Sequence, residues 1–279
     1  MDIIIADNAG LCFGVKRALE MANRTAEDSS RPVHTLGALI HSPQEVARLE
    51  ARGVHQVESL EGVTEGAVIL SAHGVDPSVE AEARARGLEV IDATCPFVLR
   101  AHEHLRQLAA EGYTIVILGD PGHREVIGLA ARAEGKATIV TNAEEAAALP
   151  AGLKYGLVVQ TTQRPERLRE VAGALAERSR ELRVFNTICE ATVKRQESAH
   201  DLAVTVDVII VVGGRNSANT ARLAEICAAT GTPTHHIETA DELDRAWIAG
   251  AQRVGVTAGA STPDWIVAEV AARLRELAP

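Results

Sequence analysis

Three cysteines occupy the same place in a threefold internal repeat. They are Cys12 in IIIADNAGLCFGVKRALEMA, Cys95 in LEVIDATCPFVLRAHEHLRQLA and Cys189 in LRVFNTICEATVKRQESAHDLA. Each ends an apolar run of strand character and opens an amphipathic helical pattern. A thiolate at a helix start is favoured by the positive end of the helix dipole. A single cysteine at such a junction is most simply a small buried hydrophobe, but three at equivalent places read as one shared metal site. Thiolates suit zinc as well as iron. Structural zinc takes four protein ligands grouped closely in sequence, whereas these thiols lie 83 and 94 residues apart with no fourth offered. An iron–sulfur cluster with three cysteine ligands and one uncommitted iron fits better. Cys227, at apolar spacing inside ARLAEICAATG, reads as core.

Polar residues recur with the same repeat. Counting 29, 28 and 28 residues on from the respective cysteines lands on His41, His123 and Ser217. A third element places His73, Thr161 and Ser261 at the ends of apolar runs, with Pro77, Pro165 and Pro263 close behind, where proline suits the first turn of a helix. Ser217 and Asn219, in GGRNSANT, offer hydroxyl and amide donors at a Gly-rich turn opening a helix, which is a seat for phosphate. Asn and Ser are also commonplace in turns and caps, but GASTPD at the matching place strengthens the case for a two-phosphate cradle. His41, His73 and His123 could ligate zinc; around a cluster they read better as donors of hydrogen bonds or protons to a diphosphate. Glu125, two residues after His123, is either a first-turn helix acid or, in a desolvated cavity beside the Thr161 hydroxyl, a proton donor.

These residues must be positioned by strands and helices in alternation. VHTLGALIHSPQEV, IVILGDPGHREVIG and IIVVGGRNSANTARL supply one strand–turn–helix per repeat, and AVILSAHGVDP, LVVQTTQRP and VGVTAGASTP another. Between them HQVESLEGV, TIVTNAEEAAAL and THHIETADELDRAW read as a strand followed by a short acidic helix. The helices are too short for a bundle, so the pattern predicts parallel sheets covered on both faces. Ligands of open α/β sheets bind outside the carboxyl ends of the strands, and the nine repeat positions are expected to face one central cavity. The repeat predicts three α/β units, residues 13–95, 96–187 and 188–279, with the N-terminal strand, residues 1–12, joining the sheet of the third.

Composition limits the partners. Net charge is −10 and aromatic residues make up 3%, which argues against nucleic acid, a ligand that calls for a basic face and stacking platforms. No apolar stretch approaches the ~20 residues of a membrane span. The segment MDIIIADNAG has no basic n-region and its apolar run is one strand long, so no signal peptide is expected. A cytoplasmic protein follows, in which cysteines serve as metal ligands or thiols rather than disulfides. The seven other histidines, His34, His55, His102, His104, His200, His235 and His236, have no repeat partner and read as structural or solvated. VVGGRN lacks the spacing of a dinucleotide fingerprint.

Taken in order, AGLCFGVKRAL, LIHSPQEV, SAHGV, DATCPFV, GHREVIG, QTT, TICEATVKRQE, RNSANT and TAGASTPD cover essentially the whole chain. The set resembles the 4-hydroxy-3-methylbut-2-enyl diphosphate reductases, which catalyse the last step of the non-mevalonate isoprenoid pathway. The resemblance implies an α/β trefoil of three pseudo-threefold-related units, each a small, mainly parallel sheet flanked by helices, around one central 4Fe-4S cluster held by Cys12, Cys95 and Cys189. It implies diphosphate binding by His41, His73, His123, Ser217, Asn219 and Ser261, with Thr161 and Glu125 supplying protons at the allylic oxygen. The implied reaction is a two-electron, two-proton removal of the allylic hydroxyl giving isopentenyl and dimethylallyl diphosphates. Electrons would come from a separate ferredoxin or flavodoxin-like protein. Three rival readings of the same residues are an iron–sulfur hydro-lyase acting on a small anionic substrate, a non-catalytic cluster or diphosphate sensor, and a zinc-stabilised binding protein.

Overall fold

A computed structural model describes residues 1–278. Among them, β1 (Asp2–Ile5) leads into α1 (Phe13–Asp28), and the chain then alternates strands and helices. The next strands are β2 (Val33–Leu36), β3 (Val54–Val57), β4 (Ala67–Leu70) and β5 (Glu89–Asp92), with α2 (Pro43–Glu50) and α3 (Pro77–Ala85) between them. After α4 (Pro96–Ala110) come β6 (Thr114–Leu118), α5 (Arg124–Arg132), β7 (Ala137–Val140), α6 (Ala143–Ala147), β8 (Leu153–Val159), α7 (Pro165–Arg178) and β9 (Ser179–Phe185). The last stretch is α8 (Glu190–Ala203), β10 (Val208–Val212), α9 (Ala218–Ala229), β11 (Thr234–Ile237), β12 (Arg253–Ala258) and α10 (Asp264–Leu277).

The strands form three four-stranded sheets of one design, in the orders β3-β2-β4-β5, β7-β6-β8-β9 and β11-β10-β12-β1. Every neighbouring pair is parallel. The first strand therefore completes the sheet of the last strands, as the repeat predicts. All-parallel sheets are covered on both faces and their central strands read as unbroken apolar runs; AVIL in β4 and VIIVV in β10 are buried throughout. Alternate residues serve opposite faces. Val208, Ile210 and Val212 pack with Ile266, Val270 and Leu274 of α10, while Ile209 and Val211 pack with Ala199, Leu223 and Cys227. Each such fully buried Ile, Leu or Val contributes about 1.5–3 kcal/mol of transfer free energy.

By compactness the chain separates into two units. One contains Met1–Lys16, Ile40–Arg48 and the chain from Glu190 onward, hence the sheet of β1 and β10–β12; the other contains Arg17–Leu39 and Leu49–Cys189, hence the other two sheets. In the first unit, Trp265 of α10 donates its indole N–H to Glu45 and lies under the Arg48 guanidinium at 5.3 Å, which ties α2 to α10.

The expected short acidic helices form unevenly. TNAEEAAAL gives α6, capped by Asn142, whose side chain accepts from the Glu145 N–H. The segment after β11 makes two 3₁₀ turns instead, Ala240–Glu242 and Arg245–Ile248. The segment after β3 makes only turns, ending at Gly62 with φ +78°, a left-handed conformation that stops helix growth.

Candidate active site

The three cysteines are held alike. Each sits just before its helix, and Cys95 is the N-cap residue of α4, with Pro96 at the first helical position. Each backbone N–H donates to a carbonyl just past the third strand of the repeat: Cys12 to Ala260, Cys95 to Ala72 and Cys189 to Thr161, all at 3.0 Å. Asp92 and Asn186 each turn the chain into the following cysteine by accepting the N–H two residues on, from Thr94 at 2.9 Å and Ile188 at 3.1 Å. The path to Cys12 is two residues longer, counted from the strand register. The slack is taken up at Gly10, φ +100°, where a Cβ would lie 2.6 Å from the Asp264 carboxylate. The Gly10 carbonyl is held by the buried Arg195 at 2.8 Å. Cys12, Cys95 and Cys189 are partly buried, whereas Cys227 lies fully in the core, where burial pushes its thiol up to about 12. Cys227 is therefore the structural cysteine its spacing predicts.

The turns after the second strands repeat just as closely. Gly37, Gly119 and Gly213 donate their N–H groups to Val57, Val140 and Ile237. Four residues on stand His41, His123 and Ser217, and two beyond those stand Pro43, Glu125 and Asn219.

In the two-sheet unit, His123 caps α5, its Nδ1 accepting the Glu125 N–H at 3.2 Å. With Nδ1 engaged as acceptor, the neutral ring carries its proton on Nε2. His73 meets this ring edge-on, with centroids 5.6 Å apart. Glu125 is 1% exposed, and both its oxygens are held by Thr161: the backbone N–H donates to Oε1 at 2.7 Å and the hydroxyl to Oε2 at 2.8 Å. Burial raises its pKa to about 7, Asp120 adds to the rise, and the two Thr161 bonds oppose it.

The strand register corrects one alignment within the repeat. Leu70, Val159 and Ala258 are equivalent strand-end residues, and Gly74, Gln163 and Thr262 close the same turn by donating to Ser71, Gln160 and Gly259. Thr162, not Thr161, is thus the counterpart of His73 and Ser261. Thr161 matches Ala72 and Ala260, and it alone of these three carries a hydroxyl. Gln160 ties two loops together. Fully buried, it accepts the Asp120 N–H on Oε1 at 2.8 Å and donates Nε2 to the Thr162 hydroxyl at 2.8 Å. It thereby fastens the loop carrying His123 and Glu125 to the loop carrying Thr161. A glutamine in QTTQ gives no periodic signal by which to single it out.

In the other unit, Ser217 caps α9, its hydroxyl accepting the Thr220 N–H at 3.3 Å. Asn219 is 4% exposed, and neither its amide nitrogen nor its amide oxygen has a hydrogen-bond partner within the protein. Buried amides are normally satisfied, so Asn219 has the chemistry of a ligand seat. Ser261 is buried beside Thr262, whose hydroxyl donates to Val212 at 3.0 Å. A Cβ on Gly214 would come within 2.6 Å of the His41 carbonyl, so that turn packs directly against the backbone at His41.

Four of the seven remaining histidines are held by stacking, burial or a hydrogen bond. His104 stacks on Phe185 and His235 on Trp247, each at 4.0 Å; His236 Nε2 donates to the Gly213 carbonyl at 2.8 Å. His102, 4% exposed, is held down to about 4, mainly by burial and further by Arg132. No helix of the described residues is long and apolar enough to cross a membrane.

Comparison with known proteins agrees over the full length. The sequence profile of the family described as "LytB protein" matches residues 3–275. A relative from Geobacter sulfurreducens, named 4-hydroxy-3-methylbut-2-enyl diphosphate reductase, is 52% identical over 276 residues, 99% of this chain and 98% of the relative. A solved (E)-4-hydroxy-3-methyl-but-2-enyl diphosphate reductase, described as the terminal enzyme of the non-mevalonate pathway, is 45% identical, with TM-score 0.72, covering 99% of this chain and 100% of its own. The solved E-1-hydroxy-2-methyl-but-2-enyl-4-diphosphate reductase of Plasmodium falciparum is 28% identical with TM-score 0.91, over 97% of this chain and 87% of its own. With three sheets of one strand order, cysteines anchored alike and a family match spanning nearly every residue, the chain belongs to the LytB protein family.

Proposed function

We propose that this chain reduces 4-hydroxy-3-methylbut-2-enyl diphosphate to isopentenyl and dimethylallyl diphosphates, in keeping with the names of its relatives. The observation that carries the reading is the Glu125–Thr161 pair: a buried carboxyl group poised near pH 7 and held through both its oxygens. A general acid works best with a pKa near the operating pH. Removing the allylic hydroxyl takes two electrons and two protons; the carbon–oxygen bond breaks, one proton leaves with the oxygen as water, and the other ends on the allyl carbons.

The donor set fits one 4Fe-4S cluster per chain. Cys12, Cys95 and Cys189 are three thiols at three helix starts, each with its backbone fixed by its own N–H, and no fourth cysteine takes part because Cys227 lies in the core. Such a cluster, when bound, supplies an open iron as Lewis acid and a path for electrons.

The protein's own part is binding and proton supply. When Glu125 is protonated on Oε2, the Thr161 hydroxyl accepts that proton and directs its own towards the substrate, so Thr161 relays what Glu125 stores. His123 presents its Nε2–H, and with His41, His73, Ser217, Asn219 and Ser261 it binds the diphosphate; the unsatisfied amide of Asn219 supports this assignment. Cys12, Cys95 and Cys189 stand at the boundaries of the units 13–95, 96–187 and 188–279, with strand 1–12 returning to the last, and would be brought to the site there. The partners are the small diphosphate and a ferredoxin or flavodoxin-like donor, and thiolate ligation suits a cytoplasmic, reducing setting. Stoichiometry tests the reading. Each product molecule must consume two electrons from the reductant, and product formed with the reductant omitted would mark a hydro-lyase instead.

A further inference from the structure

The turn 213–217, which leads into Ser217 and Asn219, is fastened by groups that are not among the proposed diphosphate ligands. His236 of β11 donates Nε2–H to the Gly213 carbonyl at 2.8 Å. Glu238, just past that strand, accepts the Arg215 N–H at 2.7 Å. The Arg215 guanidinium pairs with Glu242, whose other oxygen accepts the N–H groups of Glu238 at 2.6 Å and Thr239 at 3.1 Å. Burial alone would raise the pKa of Glu242, yet these bonds hold it below the usual carboxylate range. The turn leaves little slack: Gly213 has φ +145°, and a Cβ there would lie 2.5 Å from the Thr262 hydroxyl. These polar groups are thus paired, whereas both amide atoms of Asn219, two residues past the turn, have no partner within the protein.

We infer that Glu238 is a positioning residue for the diphosphate, fixing the 213–217 turn through the Arg215 N–H, with Arg215 and Glu242 closing the brace behind it. The inference rests on the proposed function, since it needs Ser217 and Asn219 to bind the diphosphate. Preorganised donors bind more tightly because less ordering is left to be done on association. An acceptor lost from the turn costs binding even though it never touches the ligand.

The test is calorimetric titration of the cluster-loaded protein with inorganic diphosphate, alongside kinetics with the allylic substrate. Glu238→Ala is expected to weaken diphosphate binding about tenfold, the scale of one charge-assisted hydrogen bond, and to raise KM more than it lowers kcat. Glu238→Gln, which keeps an acceptor oxygen, is expected to restore binding to within about twofold. Ser217→Ala separates the two ideas. If it weakens diphosphate binding and Glu238→Ala does not, the brace is refuted and the site stands. If Ser217→Ala leaves binding unchanged, the diphosphate assignment beneath the brace fails as well. A thermal midpoint lowered in Glu238→Ala with binding unchanged would make Glu238 merely structural and overturn the inference. Should Glu238→Ala not fold, Glu242→Gln, which weakens the Arg215 pair while keeping an acceptor, must still weaken diphosphate binding.

Discussion

Thr161 holds both carboxyl oxygens of Glu125, its backbone N–H on one and its hydroxyl on the other, at 2.7 and 2.8 Å. The two bonds differ in kind. The backbone bond survives any side-chain substitution at 161, whereas the hydroxyl bond can be removed alone.

Thr161→Val therefore takes away a donor to the ionised form of Glu125 and leaves burial, which already lifts the group to about 7, less opposed. The pKa rises further. On the proposed role of Glu125 as the acid, it must be protonated to act, so the rate falls as pH climbs through its pKa, and that descending limb moves to higher pH in the variant. With the relay lost, kcat also drops, by roughly tenfold or more on the scale of general acid catalysis. A pH profile with an unmoved limb would contradict the coupling.

Glu125 also makes stability depend on pH. Its folded pKa is raised from the usual 4.5 to about 7, so the folded state holds the proton more tightly than the unfolded chain does. Below pH 4.5 the group is protonated in both states and stability is at its full value; as pH rises from 4.5 through 7 that stability is lost, by on the order of 3 kcal/mol in all. Glu125→Gln, which cannot ionise, should be more stable than the parent at pH 8 and no more stable at pH 4. Denaturant unfolding at the two pH values reads this directly.

Much of this was legible in the sequence because the repeat is chemical as well as structural. Strand, cysteine and helix start recur together, which marks Cys12, Cys95 and Cys189 as equivalent positions and sets Cys227 apart. The return of β1 to the last sheet followed from where the first cysteine falls. Less legible was anything that depends on side chains meeting across loops. Thr161 lies one residue out of phase with His73 and Ser261, and only strand register reveals it. Gln160 and Glu238 act through backbone N–H groups of other segments, contacts that leave no spacing rule behind. Charge pattern alone does not show where Gly62 turns left-handed, and so does not show that the acidic segment after β3 makes turns rather than a helix.

The cysteines make separable predictions. Serine at 12, 95 or 189 should each abolish or sharply lower bound iron and sulfide, and with them the brown colour. Cys227→Ser should keep the iron and instead lose about 1–3 kcal/mol of stability, because it places a hydroxyl in an apolar core. Iron retained at full stoichiometry in any of the first three would remove that residue from the ligand set.

Gln160→Leu takes the side-chain acceptor away from the part-buried Asp120 N–H, a cost of about 1–3 kcal/mol. The loss should appear in the thermal midpoint, and slackened protection of the Asp120 amide in hydrogen exchange should accompany it. A variant with parental stability and protection would show that the two loops are held by other contacts.

The central claim is tested most directly by anaerobic turnover of 4-hydroxy-3-methylbut-2-enyl diphosphate by the cluster-loaded protein with a low-potential reductant, comparing the parent with Glu125→Gln. The account predicts both five-carbon diphosphates from the parent, and a rate lowered by at least about a hundredfold in the variant. No product from a parent protein with full iron and sulfide, or equal turnover by the variant, would contradict it.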